Sequence, residues 1–76
     1  MPRLPVLTGQ KAMAALRRDG FLVKRRESSH ITLWHPERRC AVTVPDHGSR
    51  PLRRGMLRAV IRDAGLTVEE FRRLLD

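Results

Sequence analysis

The chain has 76 residues, so we expect one small domain with a single core. Sixteen Lys and Arg against eight Asp and Glu give a formal net charge of +8, and fourteen of the sixteen cations are Arg. A single cysteine excludes an internal disulfide, no apolar run is long enough to span a bilayer, and no signal peptide is recognised, so we expect a cytoplasmic protein. Because guanidinium groups match phosphate oxygens, the charge favours nucleic acid as the partner, with an acidic protein as the alternative.

The first half of the chain predicts one helix followed by three strands. The helix runs from an N-cap at Thr8 to about Asp19 and ends at Gly20. The strands have the sequences FLVKRRE, SHITLWHP and RCAVTVP, with His35 in the turn after the second. Short strands with short connections pair as an antiparallel meander, which helices cover on one face. The residues expected on the covered face are Phe21, Val23, Ile31, Leu33, Cys40, Val42 and Val44.

Two helices are predicted in the second half. The segment LRRGMLRAVIRDAG ends at Gly65, and its apolar residues share one face: Leu57, Val60, Ile61 and Ala64. Thr67 and Glu70 have the spacing of a capping box, with Leu66 and Phe71 as a hydrophobic staple, and so begin a short third helix. The sequence therefore predicts a single α+β domain over residues 1–76.

The first histidine is expected on the open face of the sheet. If the apolar sides of the first two strands both face the core, the cross-strand pairs are Arg26 with His30, Lys24 with Thr32, and Leu22 with Trp34. The loop is then 27–29, and His30 lies beside Arg26 and near Lys24. A neutral imidazole among phosphate-binding cations is suited to take a proton from a hydroxyl such as the 2′-OH of RNA. An ordinary exposed strand histidine is the alternative.

Arginines recur along one side of the second predicted helix. Arg54, Arg58 and Arg62 are spaced every four residues, while Arg50 and Arg53 precede the helix start, where free N–H groups favour anions. A solvated helix face is the alternative, but repulsion between like charges favours an anionic partner.

Other kinds of site are not indicated. The three histidines and Cys40 lack a recognised zinc spacing, and neither a catalytic triad nor a glycine-rich phosphate loop occurs. No metal or small-molecule cofactor is therefore expected. Trp34 with Leu22 on the open face suits base stacking, but a protein interface is the preferred interpretation.

Four stretches carry a resemblance to a known family. They are LRRDGFLV, SHITLWHPERR, TVPDHGSRPLRRGMLRAVIRDAGLT and VEEFRRLL, which cover nearly the whole chain. Together they resemble the HicA (YcfA-like) toxins of bacterial toxin–antitoxin systems, and VPDH…L..G.LR..IRDAGLT is the most specific part. The resemblance implies a double-stranded-RNA-binding-domain-like fold, an mRNA interferase that cleaves RNA without a metal, and a HicB antitoxin that blocks it.

The resemblance also implies site residues. The catalytic histidine of the family follows Gly-Ser at the start of the second strand and corresponds to His30, while the serine corresponds to Ser29. Ser28 stands where the family usually has glycine, so a loop that requires positive φ would be strained by roughly 1 kcal/mol. His47 matches a second histidine-bearing segment of the family but receives no role.

These observations predict an mRNA interferase with a single catalytic histidine, His30, which acts as general base on the 2′-OH or as general acid on the leaving oxygen. Lys24, Arg26 and the helix arginines at 54, 58 and 62 are expected to hold phosphates and stabilise the phosphorane. The alternative is a module with the same fold that binds RNA or protein without catalysis.

Overall fold

The computed structural model describes residues 3–75. The secondary-structure elements are α1 (Gly9–Arg18), β1 (Leu22–Glu27), β2 (His30–His35), β3 (Cys40–Pro45), α2 (Arg54–Asp63) and α3 (Val68–Leu75). The strands form one antiparallel sheet in the order β1-β2-β3. The predicted α+β order of one helix, a three-stranded antiparallel sheet and two further helices is confirmed.

The core lies between the helices and one face of the sheet. Alternate residues of the central and third strands are at most 2% exposed, namely Ile31, Leu33, Val42 and Val44. The helices and the start of the hairpin complete the core with Ala12, Leu16, Phe21, Leu57, Val60, Ile61, Ala64 and Phe71. This confirms the period-two pattern for β2 and β3, and Cys40 is half-buried against the same core.

The helix ends follow the predicted capping residues. The Lys11 backbone N–H donates to Thr8 Oγ1 at the start of α1. At α3 the Glu70 N–H donates to Thr67 Oγ1 (3.1 Å), and the Thr67 N–H donates to Glu70 Oε1 (2.8 Å). These contacts, chiefly the Thr67 backbone hydrogen bond, hold the pKa of Glu70 below its usual range. Phe71 is fully buried, so the helix starts where cap and staple predict.

A β-bulge changes the predicted register of the hairpin. Leu22 pairs with Trp34 as expected, but the register shifts between Val23 and Arg25, at Lys24. The pairs beyond the bulge are Arg25 with Thr32, Arg26 with Ile31, and Glu27 with His30. The predicted pairs of Arg26 with His30 and of Lys24 with Thr32 are therefore wrong, and the loop contains two residues rather than three.

Val23 does not belong to the core. It pairs with buried Leu33, yet it is 49% exposed, and every residue of β1 is exposed. The reason is the position of β1 at the sheet edge farthest from β3, the strand on which α1 and α2 pack. The prediction of Val23 as a core residue is wrong because side-chain alternation does not reveal how far the helices extend over a sheet.

His35 is buried rather than part of an ordinary turn. Its side chain is 3% exposed, and its ring meets the Phe21 ring edge-on with centroids 5.0 Å apart. The Arg38 N–H donates to Nδ1 (3.1 Å), so Nε2 carries the proton and donates to the Asp19 carbonyl (2.9 Å). The Arg38 side chain also binds the Asp19 carboxylate and the Ala64 carbonyl. His35 therefore joins the end of α1 to β2 and serves the fold.

The conformation of the hairpin loop gives a testable prediction. Ser28 has φ of 54°, so the expected positive φ at this position is confirmed. Ser28→Gly should raise the free energy of unfolding by at most about 1 kcal/mol, less the entropy that glycine adds to the unfolded chain. RNA cleavage, which the family resemblance implies, should be kept or raised.

The control is Ser29→Gly, because Ser29 does not have positive φ and glycine relieves no strain there. Thermal unfolding of both variants is compared with the wild type, and the control should lose stability. A Ser28→Gly protein that is both less stable and less active would show that the serine side chain makes a favourable contact.

Candidate functional site

A pocket of about 600 Å³ lies beside the open face of the sheet. It is lined by His30, Thr43, Pro45, His47, Arg50, Pro51, Leu52, Arg53 and Met56. These residues come from β2, β3, the segment 46–53 and the first turn of α2. The volume is in the range of small-ligand sites, and the lining combines apolar surface with imidazole and guanidinium groups.

His30 stands at the start of the central strand. Its backbone pairs with Glu27 of β1 on one side and with Pro45 of β3 on the other. His30 itself is exposed, while the next residue, Ile31, is fully buried on the opposite face. The prediction that His30 lies on the open face is thus confirmed, and strands on both sides hold its backbone in place.

Asp46 links the hairpin loop to the segment that carries His47. Its backbone N–H donates to the Ser29 carbonyl (2.6 Å), and its Oδ1 accepts from the Gly48 N–H (3.2 Å). Its Oδ2 lies 3.6 Å from Arg26 Nη1, and its side chain is only 9% exposed. These contacts fix the chain on both sides of the pocket relative to each other.

The segment before α2 is also attached to the N-terminal part of the chain. The Leu52 N–H donates to the Leu7 carbonyl (2.8 Å), and Thr8 forms a β-bridge with Pro51. A Cβ on Gly9 would lie 2.1 Å from the Pro45 carbonyl oxygen. The start of α1 is therefore packed directly against the end of β3, behind the pocket.

The electrostatics of the pocket favour an anion. The lining residues that the structure describes include Arg50 and Arg53 and no carboxylate. Arg53 is the N-cap of α2, and no side chain among residues 3–75 caps the helix there. The first N–H groups of α2 are thus open to a ligand, and the positive end of the helix dipole adds to the guanidinium charges.

Two of the cations predicted beside His30 lie elsewhere. Arg26 pairs with Ile31 rather than His30, and its guanidinium is near Asp46. The Lys24 ammonium lies 5.3 Å from the centroid of the Trp34 ring. The prediction that these two cations flank His30 is wrong, because the bulge moves both along the strand.

The helix arginines are exposed but do not line the pocket. Met56 lines it, and Arg58 follows two residues later, about 200° around the helix axis. Arg54 and Arg62 share the side of Arg58 by their four-residue spacing. The predicted arginine stripe is therefore a surface on the opposite flank of α2 from the pocket.

Several lining residues were not singled out by the sequence patterns. Thr43 and Pro45 alternate with the buried valines of β3, so the same period-two pattern would have placed them on the open face. His47 matches a histidine-bearing segment of the family but received no role. The sequence around it did not predict that it lines the same pocket as His30. No sequence pattern predicted Met56 as a pocket residue, because its position depends on how α2 crosses the end of the sheet.

Over the described range 3–75, no helix is long and apolar enough to cross a membrane. In that same part of the chain, no group of three or more His, Cys, Asp or Glu residues is arranged to hold a metal ion.

Comparison with protein families gives one match. The family model for the HicA toxin of bacterial toxin–antitoxin systems matches residues 9–66. The matched range contains α1, the three strands, α2 and every residue that lines the pocket. A comparison with curated proteins gave no match. Because the match covers most of the chain and all of the pocket, the protein belongs to the HicA family of toxins from bacterial toxin–antitoxin systems.

Proposed function

We propose that the protein is an mRNA interferase, a metal-independent endoribonuclease that uses His30 as a catalytic residue. The observation that carries the proposal is the pocket in which an exposed imidazole on a fixed strand stands with Arg50 and Arg53. RNA supplies its own nucleophile, the 2′-OH, so cleavage needs proton transfer and stabilisation of negative charge on phosphorus. Imidazole and guanidinium groups provide these two functions.

The arginines of the pocket are assigned to the reacting phosphate. Arg50 and Arg53 line the same cavity as His30, and the open N-terminus of α2 lies beside them. The more distant cations, at positions 24, 26, 54, 58 and 62, are assigned to phosphates along the flanking RNA. Ser29 is assigned to RNA binding next to His30 through its hydroxyl, because its carbonyl oxygen already accepts from Asp46.

The direct test is incubation of the purified protein with RNA in the presence of EDTA. Cleavage should persist, and the 5′ fragments should end in a 2′,3′-cyclic phosphate because the 2′-oxygen is the nucleophile. Cleavage that requires an added divalent ion, or that leaves a 5′-phosphate on the 3′ fragments, would contradict the proposal. Tight RNA binding without cleavage would instead support the non-catalytic module.

The pocket arginines, Arg50 and Arg53, and the arginine stripe on α2, which consists of Arg54, Arg58 and Arg62, should have different effects when they are replaced. Arg58→Ala with Arg62→Ala should weaken RNA binding without sequence preference and flatten the log–log salt dependence by roughly 0.7 per lost phosphate contact on a single strand. Arg50→Ala with Arg53→Ala should in addition reduce the cleavage rate of bound RNA, because these groups stabilise charge that develops in the transition state.

Salt titrations of binding and single-turnover cleavage rates at saturating RNA separate the two effects. An unaltered salt slope in the Arg58/Arg62 double variant would mean that the stripe is solvated surface or contacts another protein. An unaltered single-turnover rate in the Arg50/Arg53 double variant would remove the assigned role of the pocket arginines.

Toxins of this family act with an antitoxin partner, and we propose a HicB-type antitoxin for this chain. The net charge of +8 supports a partner that presents acidic groups to the same basic surface. Addition of a purified HicB-type antitoxin should suppress RNA cleavage. Persistence of cleavage in a complex with that antitoxin would contradict neutralisation at the pocket.

A further inference from the structure

Two histidines, from different parts of the sequence, line the same pocket. His30 pairs with Pro45 across the β2–β3 ladder, where paired Cα atoms are about 5 Å apart. His47 follows Pro45 by two residues, which span at most about 7 Å. The two imidazoles therefore stand on neighbouring walls of one cavity that carries cationic groups.

Cleavage of RNA through its 2′-OH requires two proton transfers at different atoms. A base removes the proton of the 2′-OH, and an acid protonates the 5′-oxygen as its bond to phosphorus breaks. The base must begin without the proton and the acid must begin with it, so one imidazole does not fill both roles in a single concerted step. The reaction proposed for this pocket thus leaves one proton-transfer role open beside His30.

We propose, on the basis of the function proposed above, that His47 is a second catalytic residue that fills this open role. One imidazole takes the proton as the 2′-oxygen forms its bond to phosphorus, and the other gives a proton to the 5′-oxygen as the P–O5′ bond breaks. The products are a 2′,3′-cyclic phosphate and a 5′-hydroxyl. The pair has exchanged one proton with the RNA in each direction, so no further reactant is needed.

The contacts of His47 leave its ring available for this role. In the hydrogen-bond network of residues 3–75, His47 takes part through its backbone carbonyl, which accepts from the Arg50 N–H (3.2 Å). Its side chain is exposed to the pocket, and the adjacent Asp46 holds the backbone through Ser29 and Gly48. The fold therefore positions the backbone at His47 without using its imidazole.

The charged groups around the pair define the pH dependence to be measured. Arg50 and Arg53 line the pocket with both histidines, the Arg26–Asp46 ion pair lies beside His47, and the ion-paired residues Arg25 and Glu27 lie on the strand next to His30. With one neutral and one protonated imidazole required, the wild-type pH–rate profile should be bell-shaped.

The first experiment measures single-turnover cleavage of an RNA oligonucleotide against pH for wild type, His47→Ala and His47→Gln. In both variants the cleavage rate should fall by about 10²–10⁴-fold, and the pH–rate profile should change with pH on one side only instead of being bell-shaped. The affinity for RNA should be retained. Glutamine keeps a hydrogen-bonding side chain but does not transfer protons. Recovery of the rate in His47→Gln, or an intact bell in His47→Ala, would overturn the assignment.

The second experiment replaces the leaving 5′-oxygen of the cleaved bond with sulfur. A thiolate leaves without protonation, so the substrate should restore cleavage to the variant that lacks the general acid. Rescue is expected for only one of His30→Ala and His47→Ala, which also identifies the acid. Rescue of both variants, or of neither, would overturn the division of roles between the two histidines.

These outcomes separate the inference from the function on which it rests. Wild-type protein that cleaves RNA while His47→Ala cleaves equally well would overturn the histidine pair and leave the endoribonuclease function standing. Wild-type protein that binds RNA without cleaving it would overturn both. Folding is checked in each variant by thermal unfolding, which should be unchanged because the His47 side chain is exposed.

Discussion

Replacing His30 with alanine is expected to reduce RNA cleavage by about 10²–10⁴-fold and to abolish toxicity on induced expression. The imidazole lines the same pocket as Arg50 and Arg53, so its removal takes away the proton-transfer group of the proposed reaction. The fold should persist, because His30 is exposed and substitutions of exposed residues usually change stability by less than about 0.5 kcal/mol.

RNA cleavage is measured with the purified protein, and thermal unfolding checks that the variant is folded. Toxicity is measured as growth and mRNA integrity after induced expression in a bacterial host. His30→Gln is the matched variant, because it keeps a polar side chain without the ability to transfer a proton at neutral pH. Both variants should be inactive and fold as the wild type does. Unchanged cleavage by purified His30→Ala protein would exclude a catalytic role for this residue.

The second large effect is expected on stability. Gly9→Ala should lower the free energy of unfolding by about 1–3 kcal/mol, although alanine is the better helix former. The added Cβ would lie 2.1 Å from the Pro45 carbonyl oxygen and 3.3 Å from the Asp46 Cα, which are backbone atoms. To relieve this overlap, α1 must move away from the end of β3. Such a loss is large for a domain whose total stability is roughly 5–15 kcal/mol.

The control is Gly55→Ala in α2, where an added Cβ meets nothing within 4 Å. There the higher helix propensity of alanine should raise stability, by up to about 1 kcal/mol. Denaturant unfolding of both variants shows whether each substitution raises or lowers the free energy of unfolding. If Gly9→Ala also gains stability, the contact between α1 and β3 is looser than the structure indicates. Loss of RNA cleavage should accompany the destabilisation, because Pro45 pairs with His30 and lines the pocket.

Features that depend on neighbouring residues along the chain were predictable from the amino-acid sequence alone. The period-two alternation of β2 and β3 identified the buried residues Ile31, Leu33, Val42 and Val44. The capping residues identified the starts of α1 and α3. The positive φ at Ser28, a conformation that glycine adopts freely, was also predictable, because short hairpin loops often need one residue with positive φ. The same alternation, with the family resemblance, put His30 on the open face.

Features that depend on how the helices and strands fit together became visible in the three-dimensional structure. The bulge at Lys24 depends on how an edge strand twists against its neighbour, and it moved Arg26 away from His30. The exposure of Val23 depends on the limits of the helical layer, and the burial of His35 depends on Phe21 and Asp19. The pocket forms because 46–53 folds back beside His30, held by Asp46 and by the pairing of Leu52 with Leu7. These contacts join residues far apart in sequence, so no local pattern records them.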